Sequence, residues 1–241
     1  MVFSVLSVYS VLKAVALIHS NMKFKSLTLD LDGTLLDTVA DLARACNLML
    51  ADLGEPLRSE HEIHRFVGKG MTVLVERCLT RGAEPDPHRV AEGIAAFRKH
   101  YAEVNGRHAL TYPGVLEGLE AFRVMGLPMA CVTNKPADFA EPLLERMGLA
   151  NYFVLVVGGD TTAHKKPHPE PILHACAVMG VAPHENLHIG DSKHDIHAAR
   201  AAGSPVWCVP YGYNEGEPVD RADCDALVST LLDAATLLAA V

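Results

Sequence analysis

The sequence predicts an α/β protein: a doubly wound parallel sheet with a helical segment inserted after its first strand. Two observations predict this fold class. From Ser26 onward, short and almost continuous apolar runs alternate with stretches of helical periodicity, which is typical of parallel strands covered on both faces. Between Asp37 and Thr111 no strand-like run occurs, so the residues there are predicted to form helices.

The predicted strands and helices alternate along the chain. Strands are predicted at 27–31, 129–133, 153–157, 187–189, 206–209 and 226–228, each a short apolar run. Helices are predicted between them at 115–124, 138–147, 170–179, 196–202 and 230–240. Four of these helices are followed by a glycine, at Gly126, Gly148, Gly180 and Gly203, the residue type that most readily adopts the left-handed conformation at a helix end.

The segment after the first strand is predicted to hold helices at 39–53, 61–80 and 87–104, with Pro85 and Pro87 separating the last two. We therefore expect a core made of residues 22–37 and 112–241, with a helical insertion at 38–111. Residues 1–21 are predicted to be an extension from a misassigned start, with Met22 opening the working protein. Their apolar run lacks a positively charged start, and Lys13 interrupts it before it could span a bilayer; an interfacial anchor is the alternative.

Composition excludes some classes of function. Of the 241 residues, 49% are hydrophobic and 21% charged, which is enough to supply a packed core. A net charge of −8 argues against a nucleic-acid-binding surface, and no segment predicts a membrane span. The six cysteines are scattered without a C-x-x-C pair, and Cys131, Cys176 and Cys208 lie in apolar runs. This usage is typical of a reducing cytoplasm.

Two carboxylates follow the first predicted strand, in the stretch LTLDLDGT. Asp30 and Asp32 lie two residues apart, so along an extended chain they point to the same side. A hairpin turn at the Asp-Gly pair is one explanation. However, Asp30 lies inside the strand, where a charge is costly unless a partner compensates it. The pattern therefore indicates a metal site or an acid–base pair.

Polar residues also follow the other predicted strands. They are Thr133-Asn134-Lys135 after the second strand, Asp160 and then Lys165-Lys166 after the third, and Asp191-Ser192 with Asp195 after the fourth. In open α/β sheets, ligands bind outside the carboxyl ends of the strands, so we expect these residues to converge. Carboxylates of Asp30 and Asp191 suit Mg²⁺, and Lys166 suits a phosphate. Asp195 is predicted either to support Lys166 or to cap a helix.

The four segments DLDGT, VTNK, KKPHPEP and GDSKHD occur in the order of the four motifs of the haloacid dehalogenase superfamily, which the sequence resembles from Met22 to its end. The resemblance implies a Rossmann-like core with a type-one cap and hydrolysis of phosphomonoesters through an aspartyl-phosphate. It implies Asp30 as nucleophile and Asp32 as general acid and base. It also implies Mg²⁺ held by the Asp30 carboxylate, the Asp32 backbone carbonyl and Asp191, with phosphate bound by Thr133, Asn134 and Lys166.

Several stretches resemble the phosphoglycolate phosphatase family of that superfamily. They are FVGKGMTVLVERCL at 66–79, TYPGV at 111–115, VTNKP at 132–136, KPHPEP at 166–171 and YGYNEGEP at 211–218. We expect the loop of Gly68, Lys69 and Gly70 to recognise a small anionic substrate, although an ordinary turn is the alternative. The enzyme is expected to be a cytoplasmic monomer or homodimer. Two other hypotheses remain. The phosphatase acts on another small phosphomonoester, such as an amino-sugar phosphate, or the protein is a non-catalytic phosphate-binding module.

Other residues are assigned simpler roles. Among the thirteen histidines, those around the third and fourth motifs are predicted to be solvated rather than to bind a second metal: His164, His168, His184, His188, His194 and His197. Asp37 and Thr38 are predicted to cap the first inserted helix. Tyr211 and Tyr213 are predicted either to line the rim of the site or to form a structural loop.

Overall fold

The structure is a computed structural model that describes residues 23–240. The prediction for residues 1–21 therefore lies outside the described residues. The strands are β1 Ser26–Leu29, β2 Leu36–Asp37, β3 Leu110–Thr111, β4 Met129–Val132, β5 Leu155–Val157, β6 Asn186–Gly190, β7 Val206–Cys208 and β8 Ala226–Leu227. The six strands predicted from apolar runs all form, each within a few residues of the expected bounds.

The main sheet has the strand order β5-β4-β1-β6-β7-β8, and every neighbouring pair in it is parallel. From β1 the chain continues outward through β4 to β5, then returns to place β6 on the other side of β1. This reversal is the switch point at which doubly wound sheets bind ligands. The carboxyl ends of β1, β4 and β6 therefore open into one crevice.

Helices cover both faces of this sheet, and their bounds are α5 Val115–Val124, α6 Ala137–Arg146, α7 Glu170–Met179, α8 Lys193–Ala202 and α9 Leu231–Leu238. One hydrophobic cluster joins β1 to α5 and α9, and a second joins β4 to α7 and α8. Helix α8 begins earlier than predicted, because the backbone N–H and the hydroxyl of Ser192 donate to Asp195 Oδ2 at 3.1 and 2.6 Å and thus shape its first turn.

Between β2 and β3 lies the helical insert, which comprises residues 38–109. Its helices are α1 Val39–Asp52, α2 Glu60–Phe66, α3 Met71–Leu79 and α4 Pro87–Val104, packed around a hydrophobic cluster of their own. The prediction of one helix at 61–80 is wrong. Gly68 and Gly70 have φ angles of +126° and +83°, which a continuous right-handed helix cannot contain, so a loop separates α2 from α3.

A short ribbon at the base of the insert was not predicted. Leu36 pairs with Thr111 and Asp37 with Leu110 in antiparallel register, so the chain enters and leaves the insert side by side. Such two-residue strands are too short to show an alternating pattern. Within residues 23–240, no helix has the length and apolar character needed to cross a membrane.

Candidate active site

The carboxyl ends of β1 and β6 bring acidic side chains together. Oxygen atoms of Asp30, Asp191 and Asp195 lie within 4.8 Å of one another, and all three residues are buried. Asp30 follows β1, whereas Asp191 and Asp195 follow β6, which pairs with β1. The sequence placed these residues at the same edge of the sheet, and the structure brings them together there.

Lys166 lies between two of these acids. Its Nζ is 2.8 Å from Asp30 Oδ1 and 2.7 Å from Asp195 Oδ1, and it donates to the carbonyl of Val132 at 2.7 Å. Burial by itself would lower the pKa of this ammonium, but the charges of Asp195 and Asp30 outweigh burial and raise it. Lys166 is therefore a fixed positive charge directed at Asp30.

Asp195 combines the two roles that the sequence left open. Its Oδ2 accepts from Ser192 at the start of α8, and its Oδ1 accepts from Lys166 and lies 3.0 Å from His188 Nε2. Burial would raise the pKa of this carboxyl, but the adjacent Lys166 charge and the hydrogen bond from His188 hold it far below the usual value. Asp195 is thus an ionised partner of Lys166 that also caps a helix.

Asp30 and Asp191 carry negative charge that the surrounding protein compensates only in part. Burial raises the pKa of Asp30 to about 7 despite the opposing charge of Lys166. Burial and the charge of Asp195 raise the pKa of Asp191 to about 8, although Tyr213 N–H and the Thr34 hydroxyl donate to it at 2.7 and 3.0 Å. Two buried carboxylates with excess negative charge fit a hard divalent cation, which binds oxygen ligands.

The carboxylate of Asp32 has different partners. Lys135 Nζ donates to both of its oxygens, at 2.9 and 2.8 Å, and the hydroxyl of Thr38 donates to Oδ1 at 2.7 Å. Lys135 is itself buried and lies 5.0 Å from the centre of the Tyr101 ring. The sequence places Lys135 among the polar residues expected to converge but assigns it no role, although its position inside the VTNK segment was a signal that could have given it one.

The predicted cap role of Thr38 is wrong, because its hydroxyl bonds Asp32 and makes no hydrogen bond to the helix that it precedes. Asp37 Oδ1 does accept from the first helical N–H, of Val39, at 3.2 Å. Tyr213 is buried, and its hydroxyl donates to Asp37 at 2.9 Å and accepts from Thr38 N–H at 2.6 Å. Tyr213 therefore holds the start of the insert against the site.

A cavity of about 50 Å³ lies between the sheet edge and the helical insert. Asp30, Asp32 and Thr133 line it from the sheet, and Gly68 and Gly70 line it from the insert. The insert also contributes apolar side chains to the lining: Leu42, Val67, Met71, Leu74, Phe97 and Tyr101. Predicted site residues of both regions, Asp30, Asp32, Thr133 and Asn134 from the sheet and Gly68 and Gly70 from the insert, therefore line one small cavity.

Asn134 joins the two regions. Its side-chain Nδ2 donates to the carbonyls of Gly68 and Lys166 at 2.9 and 3.0 Å. Both amide hydrogens are thus used, and its remaining side-chain atom, Oδ1, can only accept. In this arrangement the Asn134 side chain positions the insert loop, and the expected contact with a phosphate would have to come from its backbone N–H.

Lys69 differs from its two glycine neighbours. Its Nζ lies 3.2 Å from Glu215 Oε1, and its side chain is 40% exposed. Glu215 also forms ion pairs with Arg77 of the insert and with Lys193 of α8, the latter at 2.7 Å. Lys69 is therefore part of an ionic cluster that connects the insert to the sheet domain, beside the cavity rather than in its lining.

The prediction of solvated histidines is wrong for His188 and His194, which are 0% and 6% exposed. Burial lowers the pKa of both imidazoles. His164 and His168 are exposed as predicted, and together with Glu170 they place ligand atoms within 4.8 Å of one another at the surface. That these histidines do not bind a second metal stays a prediction.

A parallel sheet with clustered carboxylates and a buried lysine at its switch point, covered by a helical insert, defines a class of α/β hydrolases with an acidic active site. The chain belongs to the haloacid dehalogenase-like hydrolase family, whose model matches residues 27–209. The fold, the order of the motifs and the match agree over most of the chain.

Named relatives extend this result. The chain is 52% identical over 219 residues to a phosphoglycolate phosphatase of Thiobacillus denitrificans, covering 90% of this chain and 96% of that protein. It is 46% identical over 222 residues to a phosphoglycolate phosphatase of Nitrosospira multiformis, covering 91% and 98%. The crystal structure of a predicted phosphoglycolate phosphatase from Haemophilus somnus superposes with a TM-score of 0.85 at 32% identity, covering 90% of this chain and 99% of that one.

Proposed function

We propose that this protein hydrolyses 2-phosphoglycolate to glycolate and inorganic phosphate. The observation that carries the proposal is the pair of Asp30 and Lys166, 2.8 Å apart and close to Asp191, with Asp30 lining the small cavity. A carboxylate attacks a phosphate only where positive charge neutralises both anions, and Lys166 supplies that charge. The substrate is taken from the relatives named phosphoglycolate phosphatase, and the small volume of the cavity supports it.

The proposed reaction has two displacements. Asp30 attacks phosphorus and forms an aspartyl-phosphate while the bond to the glycolate oxygen breaks, and Asp32 gives its proton to that leaving oxygen. Water then attacks the phosphoryl group, Asp32 takes a proton from it, and Asp30 is released together with phosphate. The contacts from Lys135 and Thr38 support this role, because they fix the direction of the Asp32 carboxyl.

We assign the metal as Mg²⁺, held by the carboxylates of Asp30 and Asp191 and by the backbone carbonyl of Asp32. The ion would supply positive charge against the phosphate oxygens and the nucleophile. The burial of both carboxylates and the raised pKa of each support this assignment. We expect EDTA to abolish phosphate release and excess Mg²⁺ to restore it.

Substrate size is the second part of the proposal. Gly70 packs so closely under the Asn134 carbonyl that a Cβ there would lie 2.8 Å from the oxygen, and the cavity between the insert and the sheet edge has a volume of about 50 Å³. This close contact between insert and sheet leaves space for a short acid such as glycolate more readily than for a sugar ring. Backbone N–H groups of the loop at Gly68 and Gly70 are suited to its carboxylate.

The test is release of inorganic phosphate with Mg²⁺ from a panel that contains 2-phosphoglycolate, an amino-sugar phosphate and other small phosphomonoesters. We expect 2-phosphoglycolate to have the highest kcat/KM by at least about tenfold, the effect of about 1.4 kcal/mol of differential binding. Preference for the amino-sugar phosphate would overturn the substrate. Absence of release from every compound would favour a phosphate-binding module without catalysis.

The cellular setting and assembly are also proposals. All six cysteines are buried free thiols, which supports a reducing cytoplasm. A monomer or a homodimer, acting on a small-molecule phosphomonoester without nucleic acid, remains our expectation.

A further inference from the structure

One face of the otherwise apolar sheet carries a row of polar side chains along the neighbouring strands β1 and β6. Ser26 and Thr28 of β1 and Asn186 and His188 of β6 are all 0% exposed. Central strands of parallel sheets are normally apolar on both faces, because a buried polar group is costly unless it is hydrogen-bonded. The row leads toward Asp195, so its arrangement bears on the active site.

The hydrogen bonds in this row form an unbroken series. Ser26 Oγ donates to Asn186 Oδ1 at 2.9 Å, and Asn186 Nδ2 donates to Thr28 Oγ1 at 2.9 Å. Thr28 Oγ1 lies 2.9 Å from His188 Nδ1, and His188 Nε2 lies 3.0 Å from Asp195 Oδ1. Asp195 Oδ1 in turn accepts from Lys166. Five buried side chains thus connect the far end of β1 to the lysine at the site.

The hydrogen-bond donors and acceptors around His188 determine the protonation and tautomer of its imidazole. Thr28 Oγ1 accepts from Asn186, so its single hydrogen is free to donate to His188 Nδ1, and the proton of a neutral imidazole then lies on Nε2. The opposite direction would leave an unprotonated Nε2 facing the Asp195 carboxylate, lone pair against lone pair. An imidazolium would leave the Thr28 hydroxyl hydrogen without an acceptor among the contacts of residues 23–240. Only the neutral Nε2–H form satisfies every group.

We propose that Thr28 and His188 are positioning residues for the hydrolytic reaction. Thr28 holds His188 as the Nε2–H tautomer, His188 fixes the Asp195 carboxylate by donating to it, and Asp195 directs the Lys166 ammonium at Asp30. The kinetic part of this inference rests on the proposed phosphatase function, since it requires turnover to be measured. The tautomer does not depend on any substrate.

The first experiment measures the tautomer by ¹⁵N NMR of the imidazole side chains of the full chain, with His188 assigned by sequential backbone correlation. We expect one protonated nitrogen, Nε2, and one unprotonated nitrogen, Nδ1, at neutral pH. A protonated Nδ1, or a mixture of tautomers, would overturn the proposal. This measurement needs no variant and no activity, so it stands if the proposed function fails.

The second experiment compares Thr28→Val with Thr28→Ser. Valine matches threonine in shape but removes the hydroxyl, whereas serine keeps it. We expect Thr28→Val to lower kcat on the order of tenfold and to give a mixture of His188 tautomers. We expect Thr28→Ser to keep kcat within about twofold of the wild type and to keep the single Nε2–H tautomer. Equal kcat values for the valine variant and the wild type would overturn the proposal. So would an equal loss in the two variants, which would indicate a packing role.

Discussion

The charged contacts at the sheet edge and those between the helical insert and the sheet differ in burial. At the sheet edge, the side chains of Lys166 and Asp195 are 2% and 0% exposed. Between insert and sheet, Lys69 and Arg77 of the insert, which pair with Glu215 of the sheet domain, are 40% and 26% exposed. Charges held in a buried, low-dielectric site interact strongly and keep their geometry, whereas exposed ion pairs contribute little.

This difference separates two requirements of catalysis. The groups that would act on the phosphate are oriented in advance by the sheet, and reorienting them would break several buried hydrogen bonds. The rim of the insert is also held over the cavity by the ion pairs of Lys69 and Arg77 with Glu215, which can break and re-form at smaller cost than the buried contacts when substrate enters and product leaves. The predictions below test this contrast, from the largest expected effect to the smallest.

The largest effect is expected for Asp30→Asn. Asparagine keeps the shape of the side chain but is not a nucleophile, so we expect kcat to fall by at least about 10³-fold with the fold intact by circular dichroism. Asp160→Asn is the matched control. Asp160 also follows a strand of the sheet, but its carboxylate accepts from Ala137 N–H at 2.8 Å. Retained turnover in Asp30→Asn would rule out the covalent route.

A pair of lysine substitutions compares the two regions directly. We expect Lys166→Met to lower kcat/KM by about 10²–10³-fold, because the phosphate and Asp30 lose their compensating charge. Lys69→Met removes the same charge from the insert, where solvent and other cations surround Glu215, and should stay within about threefold of the wild type. Losses of similar size in the two variants would show that Lys69 acts on the substrate.

A third prediction concerns the base of the insert, which unlike its rim holds a buried charge. The carboxylate of Asp41 in α1 accepts from the backbone N–H groups of Gly106, His108 and Ala109 at 2.9–3.2 Å. In Asp41→Asn, an amide NH₂ faces these donors, so we expect the free energy of unfolding to fall by about 2 kcal/mol in urea titrations.

Asp52→Asn, on the same helix, is the control for that measurement. Asp52 pairs with His100 at 2.6 Å, but its side chain is 49% exposed. We expect its substitution to change the free energy of unfolding by less than about 0.5 kcal/mol. A loss as large as that of Asp41→Asn would contradict the distinction between buried and exposed anchors of the insert.

The smallest effect is expected for Glu215→Gln. Burial opposes ionisation of Glu215, but Lys193, Arg77 and Lys69 outweigh it and hold its pKa well below the usual value. The stabilisation by a carboxyl of lowered pKa is fully present above its unfolded pKa of about 4.3 and is lost as the pH falls toward the folded value. Glu215→Gln should therefore reduce the free energy of unfolding by less than about 1 kcal/mol at pH 7.

The pH dependence provides the check on that result. The difference between wild type and Glu215→Gln should shrink when unfolding is measured at about pH 4 instead of pH 7, because Glu215 of the unfolded chain is then partly protonated while that of the folded chain stays ionised. Glu217→Gln, an exposed neighbour, should show no such change. A difference that is constant with pH would mean that Glu215 acts by packing and not by charge.

Much of the fold could be predicted because its signals are local. The six sheet strands are continuous apolar runs, and three helices have the predicted bounds: Pro87–Val104, Val115–Val124 and Glu170–Met179. The break between α2 and α3 was missed in the helix assignment, since the apolar period continues on both sides of Gly68 and Gly70 and outweighed the two glycines. The ribbon of β2 and β3 was missed because two residues carry no period.

By itself, the sequence determined which residues stand at the ends of the strands. It thereby also determined which acids and which lysine meet at one edge, because all strands of a parallel sheet have their carboxyl ends on the same side. Only the tertiary structure decided which side chain each of them contacts. Asp32 contacts Lys135, which comes from a distant segment, and Thr38, which its position before a helix would assign to a cap. His188 lies between Asp195 and Thr28, and Thr28 also comes from a distant segment. The physical reason is that periodicity reports which face a residue occupies, whereas a hydrogen bond depends on atoms placed within about 3 Å by the packing of the whole chain.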